Sequence, residues 1–211
     1  LDVGLHLGLA VGGAAVGTVI AAMAGYALSK YAFRGREVVF NTILAGVLVP
    51  ATALALPIFL IFAKVGMTNT YWSVLLPSLV SPFGVYLARI YTTSSVPDAL
   101  IEAGRLDGAG EYRIFFGLVI HLLKPALVTI FLFQFIVIWN NFFLPLIMLT
   151  DRKLFPITLG LFTWNSQALQ DPTLATAVLT GSLLSVVPII IAFLMLQRFW
   201  RSGLGAGGVK G

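Results

Sequence analysis

A chain of 211 residues that is 59% hydrophobic and only 10% charged has too little polar surface to cover a water-soluble globule, and its mean hydropathy of +0.98 indicates a membrane protein. The formal charge of +5 and pI near 9.8 fit basic loops facing an anionic cytoplasmic leaflet better than a nucleic-acid partner. With no cysteine, disulfides and thiolate metal sites are excluded.

A membrane span needs about 20 apolar residues. The runs Leu5–Leu28, Val38–Ala63, Trp72–Tyr91, Pro125–Leu149 and Leu174–Phe199 predict an all-α, polytopic helix bundle with about five visible spans, a single membrane domain over residues 1–211. The opening Leu1-Asp2-Val3, without Met or a basic leader, reads as an incomplete N-terminus. In the first span Gly4, Gly8 and Gly12, then Gly13 and Gly17, stand four apart, a spacing that lets another helix approach closely. Lys30, Arg34 and Arg36 crowd the loop that follows and mark it as cytoplasmic. Pro50 and Pro57 predict a kinked second span. Gly66 to Asn69 is a weakly charged external turn, followed by Tyr71 and Trp72 as interface aromatics. Lys and Arg number ten in the segments assigned inside and three (Lys64, Arg152, Lys153) in those assigned outside, which leaves the C-terminus inside.

The stretch from Val96 to Pro125 is the one long interruption rich in charge. Ser95-Val96-Pro97-Asp98 reads as a capped helix start. Ala99, Glu102, Ala103 and Leu106 share a face of that helix, and Gly104, Gly108 and Ala109 remove bulk that would hold off a partner backbone. Gly108, after Asp107, suits a left-handed helix end, and Glu111 to Leu123 restarts as a second, more hydrophobic helix.

The order Glu102-Ala103-Gly104, Asp107-Gly108-Ala109, then Leu122 to Leu127 resembles the EAA loop of permease subunits in ATP-binding-cassette importers. Gly104 replaces the second alanine of that pattern, and His121 stands where the family usually has a proline. The resemblance implies that residues 95–124 form a cytoplasmic coupling segment, in which Glu102, Ala103, Gly104, Leu106, Asp107, Gly108 and Ala109 meet an ATPase subunit. It also implies a sixth helix and a short leader before Leu1.

In the fourth span, Gln134 precedes Trp139-Asn140-Asn141-Phe142, which is similar to a Trp-Asn-Asp-Phe segment of sugar-importer permeases, with Asn141 in place of the acid. Amides offer donors and acceptors to sugar hydroxyls and an indole can stack on a sugar ring, so Gln134, Trp139, Asn140 and Asn141 are candidates for a substrate path. The bland alternative is interhelical hydrogen bonding. Thr150 to Pro172 is the longest external segment, read as a solvated connection or a contact for an extracytoplasmic binding protein. The closing residues 202–211, ending Gly-Val-Lys-Gly, resemble the glycine-rich cytoplasmic tail of maltose-type permeases.

The chain contains no Gly-x-x-x-x-Gly-Lys followed by Ser or Thr, so it has no motif for hydrolysing ATP. His6 and His121 fall on opposite predicted sides, which rules out a paired-histidine metal site within one subunit, and each reads as a packing or interfacial residue. None of the eight acids lies mid-span, against a proton-driven carrier. By resemblance the chain binds no cofactor, and ATP and Mg belong to two partner ATPase subunits. The other implied partners are a second permease subunit, an extracytoplasmic sugar-binding protein and the bilayer of the cytoplasmic membrane. The expected activity is ATP-driven, binding-protein-dependent import of a sugar or oligosaccharide. Import of a peptide, polyamine or phosphate, or a non-transporting scaffold with a docking loop, are the alternatives.

Overall fold

The computed structural model describes the backbone of residues 3–207 and the side chains of residues 3–199. Among the described residues the chain is helical, with no strand. In chain order the helices are α1 (Val3–Lys30), α2 (Arg36–Ala45), α3 (Ala51–Lys64), α4 (Tyr71–Ser78), α5 (Pro82–Ser95) and α6 (Asp98–Leu106). They continue as α7 (Glu111–Leu122), α8 (Lys124–Trp139), α9 (Phe143–Met148), α10 (Ile157–Gln167) and α11 (Pro172–Gly207). Three described helical stretches are long and apolar enough to cross a membrane, Val3–Lys30, Tyr71–Ser95 and Pro172–Phe199, or five if each of two bent pairs is one crossing.

Helix ends follow local chemistry. The Thr70 side chain accepts from Ser73 N–H at the start of α4, and Ser81 accepts from Gly84 N–H at the start of α5, with Pro82 in the first turn. Asp171 opens α11 by accepting from the hydroxyl and N–H of Thr173, and those bonds hold its carboxyl below the usual carboxylate range. Left-handed Gly66 follows α3, and left-handed Asn69 uses its side-chain oxygen to accept from Thr150 and Asp151 N–H at 2.9 Å each.

The chain forms two compact units, each assembled from separated stretches. One gathers the chain up to Ala14 with Pro50–Leu79 and Phe135–Met195. Its buried side chains include Phe135, Trp139, Met148, Ile157 and Leu159. The other gathers Ala15–Val49, Val80–Gln134 and the chain from Leu196. Its core has Ala22, Tyr26, Val96, Ile101, Ile114, Phe115, Val119 and Leu123 in one cluster, and Ala21, Leu28, Val85, Ala88 and Ile130 in another. The segment after α5 is thus anchored by apolar packing, with Ile101 and Ile114 worth about 1.5–3 kcal/mol each when fully buried.

Several expectations need correction. Ser95 is the last residue of α5 and not a helix cap; α6 follows Pro97 with no side-chain cap. The run Val38–Ala63 bends at Pro50 as expected, but as a full break, where a short 3₁₀ turn ends at Leu48 and α3 begins, because the residue before a proline is pushed to extended backbone, whereas Pro57 lies inside the continuous α3. The run Pro125–Leu149 stops as a helix at Trp139, and α9 resumes only at Phe143. Thr150 to Pro172 is not a plain solvated connection, since it contains α10, which buries Ile157, Leu159 and Gly160. On α1, the expected close approach is made at Gly13, against Leu75 and Ile138, but within this chain not at Gly8 or Gly12, where a side chain would meet nothing within 4 Å; Gly25 adds an approach that the spacing did not mark. The tail is helical to Gly207, and Gly208 to Gly211 lie outside the described residues, as do Leu1 and Asp2.

Candidate functional site

The coupling candidate is a helix, a tight turn and a second helix. Ile101 points into the core while Gly104 packs on Ile114, where an added Cβ would come within 3.2 Å of the isoleucine Cγ1. Within this chain Gly104 thus lies against α7, and Ala109 likewise packs against the core cluster. The turn is a Schellman closure. Gly108 N–H donates to Arg105 C=O and Ala109 N–H to Gly104 C=O, both at 3.0 Å, with Gly108 at φ +76°. On the opposite side Ala99, Glu102, Ala103, Leu106 and Asp107 are exposed, Leu106 to 89%. Among the described residues the Glu102 side chain makes no hydrogen bond or ion pair. A carboxylate and a large apolar side chain thus stand uncovered on a rigid base, which is what a docking face for another protein requires.

Charges brace this piece from within. Arg105 Nε donates to Glu111 Oε1 at 2.7 Å, which raises the guanidinium above its ordinary value. Tyr31 donates its phenol proton to Glu111 Oε2; burial, and then that bond, push the phenol upward. Lys30, read in the sequence only as a loop charge, donates to Val96 C=O and Asp98 Oδ1 at 2.6 Å each. No local pattern announces these contacts, because the partners lie 66 to 80 residues away. After the π-helical turn Phe115–Val119, the chain bends by 87° between α7 and α8 around buried Leu123, so the bend forms with His121 where a proline was expected.

The candidate substrate-path residues do not converge on one open surface. Gln134 and Trp139 are buried, at 4% and 1% exposure. The Trp139 indole donates to Ser185 C=O at 2.9 Å, lies parallel to His6 with centroids 4.6 Å apart, and has Phe135 at 6.0 Å. His6 in turn accepts from Ile157 N–H through Nδ1, so it packs as expected and joins α1 to α8 and α10. The Asn141 amide donates to Ser78 Oγ at 3.3 Å, and its C=O accepts from Thr158 at 2.7 Å. Asn140 is exposed. A small pocket of about 50 Å³ opens beside this group, lined by His6, Tyr71, Asn141, Lys153 and Pro156 among others.

In this arrangement Asn141 is an interhelical tie. Asn141→Ala is expected to lower stability by about 1 kcal/mol, the worth of one hydrogen bond, and to leave the ranking of transported solutes unchanged. Thermal unfolding and uptake competition measure the two effects, and a changed ranking would return Asn141 to the substrate path.

Comparison with known proteins adds to this geometry. A family model described as binding-protein-dependent transport system inner membrane component matches residues 7–202. The arabinooligosaccharides transport system permease protein AraQ of Halalkalibacterium halodurans is 37% identical, over 92% of this chain and 68% of that protein. The lactose transport system permease protein LacG of Rhizobium radiobacter is 30% identical, over 96% of this chain and 72% of that one. Among solved structures, a chain from a bacterial ABC transporter involved in the import of the acidic polysaccharide alginate superposes with a TM-score of 0.77 at 27% identity, covering 92% of this chain and 72% of that chain.

Proposed function

The chain belongs to the family of binding-protein-dependent transport system inner membrane components, and from that premise we propose that it is the membrane-spanning permease of an ATP-driven importer for a sugar or oligosaccharide. A permease is not itself an enzyme, and hydrolysis falls to two cytoplasmic ATP-binding subunits that hold ATP and Mg. A second permease subunit completes the pathway, and an extracytoplasmic binding protein delivers the solute. The observation that carries the reading is the face of α6: an unpaired Glu102 and a bare Leu106 displayed on a helix whose other side is fixed to the core. Docked in an ATPase cleft on the cytoplasmic side, α6 moves as a rigid lever when the ATPases close, and the spans shift between inward-open and outward-open states. Gln134, Trp139, Asn140 and Asn141 then line or support the path, with Trp139 and Asn141 acting through the helices they tie. Sugar is favoured over other solutes because AraQ, LacG and the melibiose/raffinose/stachyose permease MelC are relatives over most of the chain.

The test is hydrolysis by the purified transporter, assayed with binding protein loaded in turn with arabino-oligosaccharides, raffinose, lactose, a peptide, a polyamine and phosphate. Stimulation by one sugar class and by none of the last three is expected. Stimulation by peptide, polyamine or phosphate alone overturns the sugar assignment, and a stable complex with no stimulated hydrolysis or flux overturns the transporter.

A further inference from the structure

The end of α1 and the residue just past it bracket α6, directly at its start and through Glu111 of α7 at its end. Ser29 Oγ meets Thr93 Oγ1 at 3.0 Å in the last turns of α5. One residue later, the Lys30 ammonium sits between Val96 C=O, just past the end of α5, and the carboxylate of Asp98, the first residue of α6. Its side chain is only 9% exposed. One residue later again, Tyr31 holds Glu111, whose other oxygen takes Arg105 in the last turn of α6. The Arg105 guanidinium also lies 5.9 Å from the centre of the Tyr31 ring.

Apolar packing of Ile101 with Ile114, Phe115 and Val119 holds α6 against the core. Burying an ammonium against it adds desolvation cost, and what that cost secures is direction: a fixed geometry between two elements. Lys30 near the start of α6 and Tyr31 near its end fix the helix at two points, and buried Ile101 between them opposes rotation about the line that joins those points. From this geometry we infer that Lys30 and Tyr31 are positioning residues that make α6 and the C-terminal half of α1 one rigid body, so that a push on α6 becomes a displacement of the first span. The inference rests on the reading of α6 as the helix that docks on an ATPase subunit.

This chain has no cysteine, so once the cysteines of the other subunits are replaced, spin labels on Ile20→Cys in α1 and on Leu100→Cys, in α6 but off its docking face, report this pair. In the intact transporter in lipid, the label distance is expected to stay constant between the nucleotide-free state and the ATP–vanadate-trapped state. With Lys30→Met or Tyr31→Phe the distance shifts or broadens on trapping. Uptake of the most stimulating sugar then falls on the order of tenfold, the loss expected for one charge-assisted hydrogen bond, while stimulated hydrolysis is little changed. Lys30→Arg restores both. A distance that already shifts in the unmodified transporter, a distance indifferent to both substitutions, or uptake and hydrolysis falling in step overturns the inference. Glu102→Lys separates the two ideas: normal transport by that variant removes the docking role of α6, whereas lost transport together with indifferent Lys30→Met and Tyr31→Phe variants removes only the strap.

Discussion

Transport by a Glu102→Lys variant is expected to fall roughly a hundredfold or more, with the chain still inserted in the membrane at normal level, because reversing one charge in a docking cleft costs several kcal/mol. The structure makes this a clean substitution. Glu102 is exposed and contacts no other described charge, so its loss breaks nothing inside the permease, and Ile101 beside it keeps the helix seated in the core. The whole effect therefore reports on a partner. Co-purification of the ATPase subunits and uptake by expression-matched cells are the measurements. Ordinary uptake would mean that the uncovered face of α6 is not where the ATPase binds.

The second large effect is on stability. Gly25→Ala is expected to cost about 1–3 kcal/mol or more, because the new Cβ would lie 2.5 Å from Ala88 Cβ and 2.6 Å from Arg89 N. Neither neighbour can swing aside. One is a methyl fixed to α5 and the other is α5 backbone, so α1 and α5 must separate. That separation also loosens the Ser29–Thr93 contact four residues on. Gly12→Ala is the control, since its added methyl meets nothing within 4 Å in this chain. Thermal unfolding in detergent should show a fall for Gly25→Ala and none for Gly12→Ala. Equal losses would mean that glycine itself, and not the α1–α5 approach, sets the stability.

Taken together, the two effects separate what α6 shows to a partner from what α1 and α5 do for each other. The face of α6 was legible because Ala99, Glu102, Ala103 and Leu106 obey the helical period, and Gly108 was legible because a left-handed turn needs a residue without Cβ. The inner contact of Gly104 was not legible. Small residues serve inner and outer contacts alike, and only the position of Ile114 reveals it. The same holds for Trp139 and Asn141, whose residue types suit a sugar or a neighbouring helix equally, and whose bonds here go to Ser185 and Ser78.

Residue order alone determined the class of the molecule: apolar runs of bilayer length, a charged interruption with the EAA-type order, and no phosphate-binding loop, since these depend on hydrophobicity and on chemistry set by neighbours along the chain. Tertiary structure decided which glycines of α1 touch a neighbour, and that Lys30 meets the start of α6 while Tyr31 meets the Glu111 that holds its end. Those outcomes depend on atoms 60 or more residues apart coming within a few ångströms, and the energy that brings them there is shared across the packed core.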